Sequence, residues 1–231
     1  MRKIIKTISI LIPCYNEEKN IIEILTKVNQ VKINNIKKEI IVIDDCSKDK
    51  SLKILKKNKK LYSILITHKK NLGKGAAIKS ALEKATGDYI IIQDADLEYD
   101  PNEYKKLLDY LIKNNCDVVY GTRFQNKKYN QGYLVNRLAN YFLTFLFNLK
   151  TKSKLTDINT CYKLFKKDVL KDLELVENRF GLDPEITLKL TKKNIKIEEI
   201  PITYKPRSKK EGKKINVKDG LRSIYCILKY Y

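Results

Sequence analysis

The chain has 231 residues, 43% of them hydrophobic, which is enough for one sizeable core and too little to favour a second full domain. Its 48 Lys and Arg against 27 Asp and Glu leave a formal charge of +21, pointing to an anionic partner such as phosphate, nucleic acid or acidic lipid without choosing among them. Five scattered cysteines with no C-x-x-C pair, and a single histidine, exclude a disulfide scaffold, a zinc ribbon and a Ser-His-Asp triad, and lead us to expect a reducing, cytoplasmic setting.

Apolar runs alternate with helical periodicity, the pattern of β-α-β-α. Thr7–Ile12 reads as a strand ending at Pro13, and Asn16 as the cap of a helix with Glu17 and Glu18 in its first turn and Ile21, Ile24, Leu25 and Val28 on its inner face. Glu39–Ile43, closed by Asp44 and Asp45, is the second strand; Ser51–Lys57 is a short helix and Tyr62–Thr67 the third strand, with His68 a surface residue at its end. Asn71-Leu72-Gly73-Lys74-Gly75 turns into the helix Ala76–Ala85, and Asp88–Gln93 is a fourth strand closed by Asp94-Ala95-Asp96. Asp100-Pro101-Asn102-Glu103 opens the next helix with a cap, a first-turn proline and a capping-box carboxylate. Asp117–Tyr120 is a further strand, and Ile195–Tyr204, interrupted by Pro201, is expected at a sheet edge.

This alternation predicts a single α/β domain with a mostly parallel sheet and helices on both faces, whose ligands bind at the carboxyl ends of the strands. Three polar strand ends, Pro13–Glu17, Asp44-Asp45 and Asp94–Asp96, fall where that rule puts a site. Two aspartates beyond a buried strand form an oxygen-only set suited to Mg²⁺ or Mn²⁺ carrying a diphosphate, although aspartates also cap ordinary turns. Asp44 is placed to accept hydrogen bonds from a ribose or base, with a helix cap at Asp45 or Ser47 as the plainer alternative. Gly73-Lys74-Gly75 matches neither phosphate-loop pattern and reads better as a tight turn. An NAD enzyme fails at strand one, where Pro13-Cys14-Tyr15-Asn16 offers no glycine for pyrophosphate. A nucleic-acid-binding module fits the charge but not the strand-end acids.

Among the cations the six arginines are the more informative, because a guanidinium grips phosphate with a planar fork. Arg123, Arg137 and Arg207 each adjoin a predicted element and together offer an anion site. Asn136–Leu149 carries a narrow polar stripe, Asn136, Asn140, Thr144 and Asn148, within a broad apolar surface. It is too short to span a bilayer, as is every other apolar run, so the readings are burial, a dimer contact and an in-plane position on anionic lipid, with the first and last favoured equally. Nearby Lys127, Lys128, Lys150, Lys152 and Lys154 suit the last.

Taken in order, Ile10–Glu17, Val42–Asp45, Asn71–Gly75, Asp94–Glu98, Gly121-Thr122-Arg123, Leu155–Tyr162 and Ile200–Tyr204 resemble inverting glycosyltransferase family 2, in particular its polyprenyl-phosphate glycosyltransferases. The resemblance implies a GT-A-like, Rossmann-like fold with a nucleotide-sugar-binding half, 1–120, and an acceptor-binding half, 121–231. It implies that Pro13, Tyr15, Glu17, Asp44 and Lys74 hold the nucleotide sugar with Asp94, Ala95 and Asp96, and that Asp94, Asp96 and Glu98 hold Mg²⁺ or Mn²⁺. Glu98 departs from the glutamine often found there. Arg123, Arg137 and Arg207, with Lys213 and Lys214 from a mobile basic loop over 205–214, would meet acceptor or donor phosphates. The reaction implied moves mannose or glucose from a GDP- or UDP-linked donor to a polyprenyl phosphate at the cytoplasmic membrane face, where an anionic surface receives the protein. Such an acceptor is already ionised and needs no base. A saccharide hydroxyl would need one, and Asp183 or Glu185 in Gly181–Glu185 is the candidate, against a plainer role for Asp183 as a helix cap before Pro184.

Overall fold

The computed structural model describes residues 5–124, 134–207 and 217–230. At its centre β1 (Lys6–Cys14) pairs in parallel along its whole length with β2 (Ile36–Asp44), and β2 pairs with the short β3 (Ile64–Thr67). On the other side β1 meets β4 (Tyr89–Ile92), also in parallel. Beyond it lie β6 (Lys163–Lys166), antiparallel to both neighbours, then β5 (Val118–Thr122) and the edge strand β7 (Ile197–Pro201), giving the order β3-β2-β1-β4-β6-β5-β7. Ile8, Ile10, Leu11 and Ile12 of β1 and Ile41, Val42 and Ile43 of β2 are fully buried, as a strand covered on both faces requires.

The helices are α1 (Ile21–Gln30), α2 (Ser51–Lys57), α3 (Lys74–Leu82), α4 (Glu103–Lys113), α5 (Leu134–Thr151), α6 (Leu182–Lys192) and α7 (Val217–Lys229). The expected face of α1, Ile21, Ile24, Leu25 and Val28, is the buried one. Its start is not at Asn16, which has a left-handed φ of 50° and accepts from the Lys48 N–H instead. The N–H groups of Glu17 and Glu18 go to Ser51 Oγ and Asp49 Oδ2, so residues 17–20 form a turn tied to α2 rather than a first helical turn. The capping box expected at Asp100–Glu103 is also absent: Glu103 accepts the Thr203 N–H, and the helix starts at Glu103, two residues later than the proline implied.

Two departures shape the site. The strand β6 was hidden from periodicity because only Leu164 and Phe165 are apolar between lysines. And α5 is turned opposite to an ordinary surface helix. Asn140 and Thr144 of its polar stripe face inward, with Leu143 and Phe147, onto a small cluster with Leu155, Ile158, Leu188 and Ile227. Leu138, Phe142, Phe145 and Leu149 are each more than half exposed. The simple-burial reading of this helix is therefore wrong for its broad apolar side.

Candidate active site

The carboxyl ends of β1, β2 and β4 lie side by side, and they bring Pro13, Tyr15, Glu17, Asp44, Asp94, Ala95 and Asp96 to one sheet edge. Asp44 is fully buried at the end of β2. Its Oδ2 accepts the Ser47 N–H at 3.1 Å, while Oδ1 has no hydrogen-bond partner among the described residues. A buried carboxylate oxygen left unpaired is costly, and a hydrogen-bond donor from outside the chain would satisfy it.

The neighbouring Asp45 does something else. Its carboxylate accepts the N–H groups of Leu72 and Gly73, the Asn71 amide and His68 Nδ1 at 2.7–2.9 Å. It thereby fastens the 71–75 turn. His68 is not a surface residue: its ring is buried between Asp45 and Ser80 Oγ, 3.0 Å from Nε2. The donors at 72 and 73 are thus occupied, and the Ala76 N–H goes to the Asn178 carbonyl, in keeping with a tight turn. Gly73 has φ 99°, and a Cβ on Gly75 would stand 2.5 Å from the Glu177 carbonyl oxygen; both glycines are needed for this close approach.

Lys74 crosses from the turn to Asp94, Nζ to Oδ1 2.7 Å. Burial opposes the charge on Asp94, but the Lys74 ammonium, with Cys161 and Arg207, holds its carboxyl below the usual range. Asp96 is pushed the other way, to about 7, by burial and by the charges of Asp94 and Glu98, with Arg207 opposing. The turn that presents both is anchored from beneath by Gln93. This fully buried amide accepts from the hydroxyls of Tyr104 and Tyr162 and donates to the Asp94 carbonyl.

Arg207 reaches across the whole edge. Its guanidinium forks onto Glu17 at 3.0 and 3.1 Å and touches Asp96 Oδ2 at 3.1 Å. Glu98, expected beside a metal, accepts the Arg207 backbone N–H at 2.9 Å and the Tyr204 hydroxyl at 2.8 Å. Among the described residues no three acidic, Cys or His side chains converge on a point that could hold an ion. The donor set still fits a hard divalent cation, since Asp94 and Asp96 offer oxygen alone and leave positions for diphosphate oxygens.

The other arginines divide. Arg123 forms a bidentate pair with buried Asp157, Nε to Oδ2 2.7 Å and Nη2 to Oδ1 2.8 Å, and stacks over Tyr204, 5.1 Å to the ring centre. Its fork is therefore engaged within the protein, where Asn140 of α5 also reaches Asp157. Arg137 sits half-buried on α5. Lys213 and Lys214 lie outside the described residues, as does the basic loop beyond Arg207.

Asp183 is not the expected cap. It lies inside the first turn of α6, behind Gly181, and its Oδ1 accepts from Lys163 Nζ at 2.6 Å. Lys163 is fully buried, bonded also to the Thr160 carbonyl and 5.1 Å from the Tyr120 ring centre. Sequence reasoning gave no role to Lys163 or Asp157 and took Gln93 only as the end of a buried strand. A lone lysine in a basic chain gives no signal, and the amide's hold on Tyr104, Tyr162 and the Asp94 carbonyl depends on distant partners.

A parallel sheet with acidic strand ends and one inserted antiparallel strand defines a GT-A-type glycosyltransferase fold. The glycosyl transferase family 2 model matches residues 9–174, and the chain belongs to that family. It is 33% identical over 202 residues to an uncharacterized protein of Methanocaldococcus jannaschii, covering 82% of this chain and 84% of that one. It is 29% identical to the UDP-N-acetylglucosamine–dolichyl-phosphate N-acetylglucosaminyltransferase of Methanococcus voltae, over 96% and 95% of the two chains. With the dolichol-phosphate mannosyltransferase of Pyrococcus furiosus it shares 27% identity, over 96% of this chain but 64% of that one. Among solved structures, glucosyl-3-phosphoglycerate synthase of Mycobacterium tuberculosis, crystallised with Mn²⁺, UDP and glucosyl-3-phosphoglycerate, superposes with a TM-score of 0.71. Its identity is 16%, over 97% and 80% of the chains. The same enzyme with Mg²⁺ and UDP gives 0.73.

Proposed function

We propose that this glycosyltransferase moves a hexose, with inversion, from a UDP- or GDP-linked donor to a polyprenyl phosphate at the cytoplasmic face of a membrane. The observation that carries the acceptor is α5, whose polar stripe is bound to Asp157 and the 155–159 loop while its apolar row faces outward. A helix oriented this way loses stability in water and gains it against lipid. The α7 side chains Leu221, Tyr225 and Leu228 are exposed too, so both helices that pack together present apolar surface. Lys150, Lys152, Lys154, Lys218 and Lys229 lie on or beside these helices and complement an anionic surface. The relatives named for dolichyl phosphate agree with this acceptor chemistry.

In this reading the unpaired Asp44 oxygen receives the nucleoside, with Pro13, Tyr15 and Glu17 beside it. Asp94 and Asp96 hold Mg²⁺ or Mn²⁺, which when bound stabilises the charge that gathers on the leaving diphosphate. Lys74 keeps Asp94 ionised and aimed at the site. An acceptor phosphate is anionic without help, so its oxygen attacks the anomeric carbon and no proton has to be taken. Asp183, with its carboxylate on Lys163, then has no base to supply.

The test offers purified protein UDP- and GDP-hexoses, Mg²⁺ or Mn²⁺ and a polyprenyl phosphate in anionic vesicles, and follows labelled sugar into the organic phase. Transfer is expected with one donor class, lost at least about a hundredfold in Asp96→Ala and, per folded molecule as measured by circular dichroism, largely kept in Asp183→Asn, which loses stability because Lys163 is left uncompensated. Phe142→Ser/Phe145→Ser should cut vesicle binding and lipid transfer together. Label that remains aqueous with every donor, or passes to a saccharide only while Asp183 is intact, overturns the lipid-phosphate reading.

A further inference from the structure

The residues that fit the donor's cation and diphosphate already hold a cation, and it belongs to the chain. Arg207 forks onto Glu17 and reaches Asp96, with only 12% of its side chain exposed. The backbone that delivers it is tied down at three points, all on one short segment. The Tyr204 hydroxyl and the Arg207 N–H both go to the Glu98 carboxylate, and the Lys205 N–H goes to the Glu98 carbonyl at 2.9 Å. Tyr204 also bridges to Tyr99, with ring centres 5.2 Å apart. Glu98 therefore uses both oxygens to hold a strap, 204–207, across the mouth of the site.

We propose that Arg207 is a displaceable internal counter-ion of the donor site, and that Glu98 is the positioning residue that holds it there. The inference rests on the reading of Asp94 and Asp96 as the cation site. Before the donor arrives, the guanidinium neutralises Glu17 and Asp96, which crowd together with Asp94 and Glu98 and would otherwise repel one another. A divalent cation arriving with a nucleoside diphosphate competes for the same Asp96 oxygen, so entry of the donor requires Arg207 to leave it. Once released, the guanidinium has the chemistry to meet a phosphate beside the site. The exchange swaps one cation for another at Asp96, which keeps the carboxylates compensated in both states.

The consequence is a penalty on metal affinity set by the fraction of molecules with the strap in place. If that pairing is populated about nine times in ten, removing it strengthens apparent binding about tenfold. The experiment measures Mn²⁺ binding by electron paramagnetic resonance, with no nucleotide and then with UDP or GDP, in the unaltered chain, Arg207→Gln, Arg207→Lys and Tyr204→Phe. Arg207→Gln is expected to bind Mn²⁺ about tenfold more tightly and to gain more thermal stability from it; Arg207→Lys should resemble the unaltered chain more closely. Tyr204→Phe, which frees one Glu98 oxygen, should shift affinity the same way by less. Equal or weaker Mn²⁺ binding in Arg207→Gln overturns the counter-ion role while leaving the cation site standing. No Mn²⁺ binding by any of these proteins, even with nucleotide, overturns the cation site itself and the inference with it. A Tyr204→Phe affinity identical to the unaltered chain overturns the positioning role of Glu98.

Discussion

The side chain whose surroundings say most about how this core tolerates charge is Lys163. It is fully buried on β6, with its ammonium on Asp183 and the Thr160 carbonyl and over the Tyr120 ring. Removing one partner of such a pair leaves the other buried and uncompensated. Lys163→Met alone should therefore cost about 3–5 kcal/mol, whereas Lys163→Met/Asp183→Leu should recover most of that, as urea unfolding of the two variants will show. Recovery in the double variant identifies the pair as structural; failure to recover assigns Asp183 a further contact that matters. The strand-end acids Asp44, Asp94 and Asp96 were legible in the sequence because each closes an apolar run, and a charged residue there has few other uses. Their division of labour with Asp45 was not legible, since adjacent aspartates read alike until the 71–75 turn is seen bonded to one of them.

At the scale of elements, α7 is fastened to the body by one acid. Arg222 forks onto Glu177 at 2.7 and 2.9 Å, and the Tyr230 hydroxyl joins it at 2.9 Å. Burial works to raise the Glu177 carboxyl, but the hydrogen bonds and charge of Arg222 and the Tyr230 hydroxyl outweigh it and hold it below the ordinary value. A carboxyl depressed in the folded state stabilises that state above its unfolded pKa, and the contribution is lost as pH falls through the folded one. Glu177→Gln should thus lower the unfolding midpoint at pH 7 by roughly 2–4 °C, and the gap should close as pH drops below about 4. Thermal melts of both proteins from pH 7 to pH 3 check the sign; a gap that widens in acid refutes it. The amphipathic pattern of α5 was readable in advance, although the helix runs two residues further at each end than Asn136–Leu149. Which face turned inward was not, because Asn140 finds its partners in Asp157 and Asn159, well along the chain.

For the molecule as a whole, the halves on either side of residue 120 share one sheet. Strand β6 of the second half is inserted between β4 and β5, and the 177–179 backbone packs directly on Gly73 and Gly75 of the first. Gly75→Ala would place a methyl group 2.5 Å from the Glu177 carbonyl oxygen and 2.9 Å from that of Arg179, a contact that only backbone movement relieves. We expect it to cost about 1–3 kcal/mol and to weaken UDP or GDP binding as well, since Lys74 between the two glycines would draw away from Asp94. Calorimetric melting and nucleotide titration on the same variant decide this, and unchanged affinity would show that the turn and the nucleotide site are independent. By itself the sequence determined the parallel β-α alternation, the acidic strand ends, the family and the amphipathic helices, because periodicity and strand-end chemistry are local and survive without knowledge of neighbours. Only the tertiary structure decided the place of β6, the inversion of α5, the pairing of Lys163 with Asp183 and the seat of Arg207 among Glu17, Asp96 and Glu98. Each of these depends on which distant residue a charge or amide meets across the fold, and burial leaves such a group stable only where that partner stands.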